Sequence, residues 1–127
     1  GHVWGKNFFY GLMDKIRKNE LVELYNIDRN FNNIVELDDL IHFITILCSK
    51  CYSNTKNEIF LLGNTKSMVL NDIVTYIKNI YQSTSVVKSV EAKNKRYFTL
   101  DVSKAVGYGY FSKEIKIIID ALHQIQG

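Results

Sequence analysis

No proline occurs anywhere in the 127 residues, and there are only two cysteines. The missing proline accompanies heavy use of asparagine, lysine and isoleucine, so it reads as compositional bias and carries no functional meaning. The cysteines form Cys48-Ser-Lys-Cys51, a spacing that redox and zinc sites also use. A zinc site needs about four ligands, however, and His2, His42 and His123 stand apart with no second cysteine pair to complete a set. A thioredoxin-like pair places its first cysteine at a helix start inside a βαβ surround, whereas Cys48 falls well inside an apolar helical pattern. Both cysteines therefore read as small apolar residues on a helix face, with no disulfide implied.

Other absences narrow the class further. No apolar run approaches the roughly 18 residues of a membrane span, and no basic-then-apolar leader or lipidation signal occurs, so a soluble, cytoplasmic protein with no membrane partner is expected. Sixteen basic and thirteen acidic residues are scattered through the chain for a net charge of +3, too small and too mixed for a nucleic-acid footprint. No amphipathic pattern carries a basic recognition helix, so no nucleic acid is expected as a partner. A dinucleotide site needs a glycine-rich strand-to-helix turn that lets the backbone approach pyrophosphate, and no Gly-x-x-Gly-x-x-Gly is present. A hydrophobic share of 46% still suffices for an ordinary core, which predicts a single domain over residues 1–127.

What is present alternates short extended runs with helical stripes. His2-Val3-Trp4 reads as a strand end running into Gly5, after which Asn7 caps a helix with Phe8, Phe9, Leu12, Met13 and Ile16 at helical spacing. Leu21 to Tyr25 is short and β-prone, and residues 26–30 carry turn chemistry. Phe31 to Glu36 extends again, before Asp38 offers a cap to a long helix with Leu40, Ile41, Phe43, Ile44, Leu47, Cys48 and Cys51; so wide a stripe predicts deep burial. Adjacent Asp38 and Asp39 diverge in direction at a helix start and read as caps, not as a catalytic carboxylate pair. Glu58-Ile-Phe-Leu-Leu62 is a continuous apolar run stopped by Gly63-Asn64, the pattern of a strand covered on both faces. Leu70, Ile73, Val74, Ile77 and Ile80 trace a clean helical stripe, Val86 to Val90 alternates as a strand, and residues 94–96 form a charged turn. Asp101 caps a helical turn through Lys104 and Ala105, Gly107 and Gly109 break it, and Ser112 caps a last helix carrying Ile115, Ile118, Ile119, Leu122 and Ile125.

That order of motifs resembles the C-terminal part of the extended short-chain dehydrogenase/reductases, the NAD(P)-dependent nucleotide-sugar epimerases and dehydratases. Val3-Trp4-Gly5 is similar to the Val-Tyr-Gly that ends the sixth Rossmann strand. Leu24-Tyr25 through Leu37-Asp38-Asp39-Leu40 lies without a gap over Leu/Ile-Tyr-Gly, a turn, and Arg-Asp-Tyr/Phe-Ile-x-Val-x-Asp. Ile59 to Gly63 resembles the Tyr-Asn-Ile-Gly strand, Leu70-Asn-Asp-Ile-Val the helix after it, and Asp101-x-Ser103-Lys104-Ala105 with Gly107-Tyr108 the closing Asp-x-Ser-Lys-Ala and Gly-Tyr/Phe. The resemblance implies an α/β fold, mixed α+β in this stretch, with about four main helices, short strands and no Rossmann half. It implies an enzyme in the parent protein, with hydride leaving a sugar carbon for NAD or NADP and returning. Tyr10, Tyr76 and Tyr81 are followed four residues on by Asp14, Ile80 and Ser85, none of them the lysine of the family's catalytic Tyr-x-x-x-Lys. The fragment is therefore expected to bind no cofactor and to be inactive alone.

The resemblance also implies a nucleotide sugar as partner and a set of contacts. The segment holding Leu24 and Tyr25 would lie along the base. Asn32 stands where the family has a diphosphate-binding arginine, and Lys93 and Arg96 lie near a second such position, occupied here by Glu91; a planar guanidinium would have supplied paired charge-assisted bonds. Trp4, Lys6 and Asn7 follow a strand end where the cleft would open. A non-catalytic relative used for protein binding or regulation is the alternative, and the missing arginine at Asn32 suits it. Without the large parallel sheet, the 58–62 strand and the Phe43, Leu47, Cys48 face would be left uncovered, which predicts a homodimer or swapped assembly burying more than about 1,000 Å².

Overall fold

The computed structural model describes residues 8–49, 58–91 and 99–126. The expected strand before Gly5, the Asn7 cap, Cys51 and the candidate residues Trp4, Lys6, Asn7, Lys93 and Arg96 lie outside them. In chain order the elements are α1 (Phe8–Arg17), β1 (Val22–Leu24), β2 (Asn30–Phe31), α2 (Leu37–Ser49), β3 (Met68–Val69), α3 (Leu70–Tyr81), β4 (Val87–Ser89), α4 (Ser103–Gly107) and α5 (Ile115–Gln126), a mixed α/β fold. The chain divides into two compact units, one of residues 1–30 with 68–97 and one of residues 31–67 with 98–127. No described helix is long and apolar enough to cross a membrane.

In the first unit α1 packs on α3. The stripes legible in the sequence are the ones buried: Phe9, Leu12, Met13 and Ile16 from α1, and Leu70, Ile73, Val74 and Ile77 from α3. β1 and β4 pair in parallel with Val22 opposite Val87 and Leu24 opposite Ser89, and Val22 and Leu24 turn inward. The end of α1 is closed by side chains rather than by glycine. Asn19 takes a left-handed φ of 58°, which asparagine tolerates. Its Oδ1 accepts the Thr84 amide at 2.9 Å. The Ser83 hydroxyl donates to the Ile16 carbonyl, a helix-end acceptor with no partner inside the helix. At the start of α3, the amides of Leu70 and Asn71 reach the carbonyls of Arg29 and Ile27 at 2.9 and 2.8 Å.

The second unit centres on Phe43, Ala105 and Tyr110, with Leu47, Phe60, Leu62 and Tyr108 packed against them. The rings meet edge to face: Phe43 with Phe60 and Tyr110 at 5.3 Å, and Phe60 with Tyr108 at 5.1 Å. Gly109 takes a φ of +105°, the conformation that lets the chain reverse between Tyr108 and Tyr110. From α5, Ile115, Ile118 and Ile119 are buried.

Three expectations change here. The α2 helix is not deeply buried: only Asp39 and Phe43 are enclosed, while Leu37, Ile41 and Ile44 are about half exposed, because one flank of the helix is all that meets the unit's core. The 58–62 run is extended but joins no ladder among the described residues; Ile59 is 79% and Leu61 53% exposed, while Phe60 and Leu62 point inward. Apolar character alone could not supply the neighbouring strand that a ladder requires. α2 begins at Leu37, with the Leu40 amide bonded to the Glu36 carbonyl, so Asp38 and Asp39 sit inside the first turn and do not cap it.

Ile73 has no solvent exposure. Ile73→Ala should cost about 2–5 kcal/mol by the usual range for deleting a buried isoleucine, read as a lowered urea midpoint with unchanged slope.

Candidate functional site

A cavity of about 460 Å³ opens in the second unit. Its walls come from three chain segments, of which residues 99–106 join no β-ladder among the described residues and are held by side chains. Asn32, 5% exposed, performs most of this task. Its Oδ1 accepts the Leu100 amide at 2.9 Å, and its Nδ2 donates to the carbonyls of Leu100 at 2.8 Å and Asn64 at 3.3 Å. Its own carbonyl accepts the amide of Asn64 at 2.7 Å. Gly63 is required beside it: a Cβ there would lie 2.6 Å from the Asn32 carbonyl oxygen. Asn64 repeats the device, its Nδ2 donating to the Lys113 carbonyl at 2.7 Å and its Oδ1 accepting the Lys66 amide at 2.9 Å.

Ser112 was expected to cap α5, yet its buried Oγ accepts the Thr65 amide at 2.8 Å and meets the Thr65 hydroxyl at 2.9 Å. It ties the cavity loop to the approach to α5. The next residue along, Lys113, gives its amide to Asp39 Oδ2 at 2.9 Å and its ammonium to Glu36 at 2.7 Å. The Glu36 carboxylate holds the Lys113 ammonium above its ordinary pKa, and Asp39 adds to the effect.

The Asp-x-Ser-Lys-Ala step forms one side of the cavity, and each named position has a mechanical part. Asp101 Oδ1 accepts the Ser103 amide at 3.0 Å. Bonds from the Ser103 side chain and backbone hold the Asp101 carboxyl below its ordinary value, so it is ionised at neutral pH. Lys104 pairs with Glu58, donates to the Ile59 carbonyl at 3.0 Å and lies 5.3 Å from the Phe60 ring centre, pinning the 58–60 segment to α4. Ala105 fills the core beside Phe43 and Tyr110, and the Tyr110 hydroxyl donates to the Gly63 carbonyl at 2.8 Å.

The cavity surface is chemically simple. Thr65, Ser67, Thr99 and Ser103 bring hydroxyls, Asn32 and Asn64 amides, and Leu100, Val102 and Val106 apolar surface. Asp101 is the one ionisable group among the described residues that line it. The Ser103 hydroxyl and the Asp101 carboxylate meet within one turn, where their bond shapes the chain. Among the described residues no group of three or more His, Cys, Asp or Glu is disposed to hold a metal.

Of the candidate substrate contacts named from sequence, Asn32 is the one that lines the cavity among the described residues, and Asp101 and Ser103, read there as a capped turn, line it too. Leu24 is buried in β1 and Tyr25 follows it, exposed, both in the other unit. Trp4, Lys6, Asn7, Lys93 and Arg96 are outside the described residues. Sequence reasoning passed over Asn64, Thr65, Ser67 and Thr99, for which Gly63-Asn64 was the one available signal and read only as a strand stop. One further correction concerns the catalytic spacing: Tyr52-Ser-Asn-Thr-Lys56 does have the form Tyr-x-x-x-Lys. Both residues lie outside the described ones, so spacing is all that supports them.

No protein-family model matches the chain, and no curated protein matches it. A search of solved structures does find similarity. The fold matches a UDP-glucose 4-epimerase from Thermotoga maritima, solved with UDP-glucose, at a TM-score of 0.65 and 14% identity over 95% of this chain. The chain spans 40% of the length of that epimerase. At such low identity the likeness is one of fold: an epimerase-like α/β arrangement extends over nearly every residue.

Asn32→Ala would leave the Leu100 amide and carbonyl without their side-chain partner. A loss of about 1–3 kcal/mol is expected from unsatisfied buried main-chain groups, measured by urea unfolding, with the amide resonances of residues 99–101 shifting most.

Proposed function

We propose that this chain is the substrate-binding portion, expected as one domain over residues 1–127, of an NAD(P)-dependent epimerase or dehydratase that acts on a nucleotide-activated sugar. One observation carries the reading: the fold likeness to a UDP-glucose 4-epimerase solved with UDP-glucose, which extends over 95% of this chain. The motif order from Val3-Trp4-Gly5 to Gly107-Tyr108 supports it independently. In this reading the parent protein is the enzyme, it holds NAD or NADP, and the present residues contact the sugar nucleotide without supplying the cofactor cradle. Leu24 and Tyr25 line the base, and Trp4, Lys6, Asn7, Lys93 and Arg96 supply the remaining contacts, with the basic pair nearest the diphosphate.

A second reading is favoured by a specific observation. The motif resemblance sets Asn32 against the family's diphosphate-binding arginine, and the Asn32 amide is engaged by the main chain of Leu100 and Asn64. A relative that has given up diphosphate binding for a protein-interaction or regulatory role would look this way. Titration separates the two readings. The enzyme reading expects UDP-glucose to shift the amide resonances of Leu24 and Tyr25 with a dissociation constant in the range of about 0.1–10 mM, and NAD or NADP to bind no tighter than about 1 mM. Absence of any response to UDP- or TDP-sugars would favour the non-catalytic relative. Micromolar NAD binding would refute the substrate-domain reading outright.

The assembly follows from the same reading. The expected Phe43 and Leu47 face is packed into the unit's own core, so the contact shifts: exposed Ile59 and Leu61, on an extended run with no ladder among the described residues, together with the half-exposed Ile41 and Ile44 of α2, support self-association of this chain through the 58–62 edge. Light scattering should return about twice the chain mass at high micromolar concentration, and Ile59→Lys with Leu61→Lys should return the monomer. A monomeric wild-type chain would refute this assembly.

A further inference from the structure

The geometry points to Lys113 as a latch on the cavity wall: its ammonium, held by Glu36 and Asp39, fixes residues 112–114, and releasing it frees residues 65–67 while the rest of the second unit stays folded. The device is the same whatever the cavity receives. It begins with three residues set against three. Asn64 Nδ2 donates to the Lys113 carbonyl at 2.7 Å, the Thr65 amide donates to Ser112 Oγ at 2.8 Å, and Lys66 Nζ donates to Glu114 at 3.1 Å. No β-ladder joins the two runs among the described residues, so the position of 64–66 follows that of 112–114 through side chains. Lys113 then ties 112–114 to the start of α2. Its amide donates to Asp39 Oδ2 at 2.9 Å and its ammonium to Glu36 Oε2 at 2.7 Å, with Asp39 Oδ1 at 3.7 Å. Lys113, Glu36 and Asp39 are not among the described lining residues, so the wall is set from outside the cavity.

Burial ranks the anchors. The Asp39 and Glu36 side chains are 9% and 25% exposed, whereas those of Lys66 and Glu114 are 73% and 57% exposed, and so solvated a pair holds little. Lys113 therefore holds the run and Lys66 follows it. The Glu36 carboxylate raises the Lys113 pKa, with smaller help from Asp39 and Asp38, so the ammonium stays charged through the neutral range. Asn64 is the pivot. Its amide donates to the Asn32 carbonyl at 2.7 Å and its carbonyl accepts Asn32 Nδ2 at 3.3 Å, bonds that do not pass through Lys113. Release of the latch therefore moves Thr65 and Ser67, which line the cavity, and spares the wall at Asn32 and Leu100. Such an opening is local, with a free energy below that of global unfolding.

Native-state amide hydrogen exchange of the full chain by NMR tests this, because the neighbours Asn64 and Thr65 report different anchors. Lys113→Met should speed exchange at Thr65 and Lys66 by about tenfold or more, while Asn64, Leu100 and Tyr110 change by less than about twofold. Lys113→Arg should restore protection to within about threefold of the wild-type chain, and Lys66→Met should leave Thr65 within about threefold. Glu36→Gln should act in the same direction as Lys113→Met, and the double variant should exceed the larger single effect by less than about twofold, since each change removes the same pair. Raising sodium chloride from about 0.02 to about 0.5 M should speed Thr65 about threefold in the wild-type chain and leave it unchanged in Lys113→Met. Equal acceleration at Asn64, Leu100 and Thr65 in Lys113→Met would make Lys113 an ordinary stabilising residue and overturn the latch. Unchanged exchange at Thr65 in that variant, or a Thr65 amide unprotected in the wild-type chain, would overturn it as well. If Lys113→Met does not fold, the wild-type salt titration decides: a response confined to Thr65 and Lys66 supports the latch, and a uniform response or none overturns it.

Discussion

The amide of Asn32 is the contact on which the second unit depends. It answers both the N–H and the C=O of Leu100, a residue 68 positions away, and reaches the Asn64 carbonyl as well. In a strand ladder those main-chain groups would pair with another main chain; here one short side chain does the pairing. The arrangement tolerates little change. An aspartate could accept the Leu100 amide but not donate to its carbonyl, and an arginine could donate but not accept. The close approach of Gly63 follows from the same contact, since any side chain there would displace the Asn32 carbonyl from Asn64. An isolated buried main-chain donor or acceptor costs more than a typical hydrogen bond contributes, so the network behaves as a unit.

From that clamp the remaining bonds run outward in series. Asn64 reaches Lys113, Thr65 reaches Ser112, Lys113 reaches Asp39 and Glu36, and Tyr110 returns to Gly63. The aromatic cluster of Phe43, Phe60, Tyr108 and Tyr110 supplies apolar burial beneath them, and Lys104 holds the extended 58–60 segment over it. The Asp-x-Ser-Lys-Ala step thus has a structural account at every named position, independent of any reaction. Asp101, Val102 and Ser103, which shape the turn, also form a wall of the cavity.

These contacts bear on function through charge. A diphosphate needs fixed cations, and the described cavity has none among its lining residues. Asn32 is an uncharged amide that serves the main chain. The epimerase-like fold is therefore combined with a cavity whose described walls carry hydroxyls, one carboxylate and an apolar patch. The basic residues Lys93 and Arg96 are the ones the proposed function would assign to the phosphates.

Local physics made the helices legible. The stripes Phe9, Leu12, Met13, Ile16 and Leu70, Ile73, Val74, Ile77 recur at the helical period, so one face of each helix is apolar whatever lies opposite, and the short alternating runs at β1 and β4 announce themselves similarly. The order of short motifs carried the resemblance to an epimerase-like fold. Other features were decided only by tertiary structure. The 58–62 run has the composition of a buried strand, but a ladder requires a partner, and composition cannot state whether one is present. Ser112 has cap chemistry, yet the donor it meets is Thr65, 47 residues away in sequence. Asn32 could be read as a solvated turn residue, a ligand contact or a strut, and only folding brings Leu100 to its amide. Periodicity and turn chemistry act over a few residues and are written in order along the chain. The bonds that build the cavity join residues separated by as much as 68 positions, and they exist only once the chain has closed on itself.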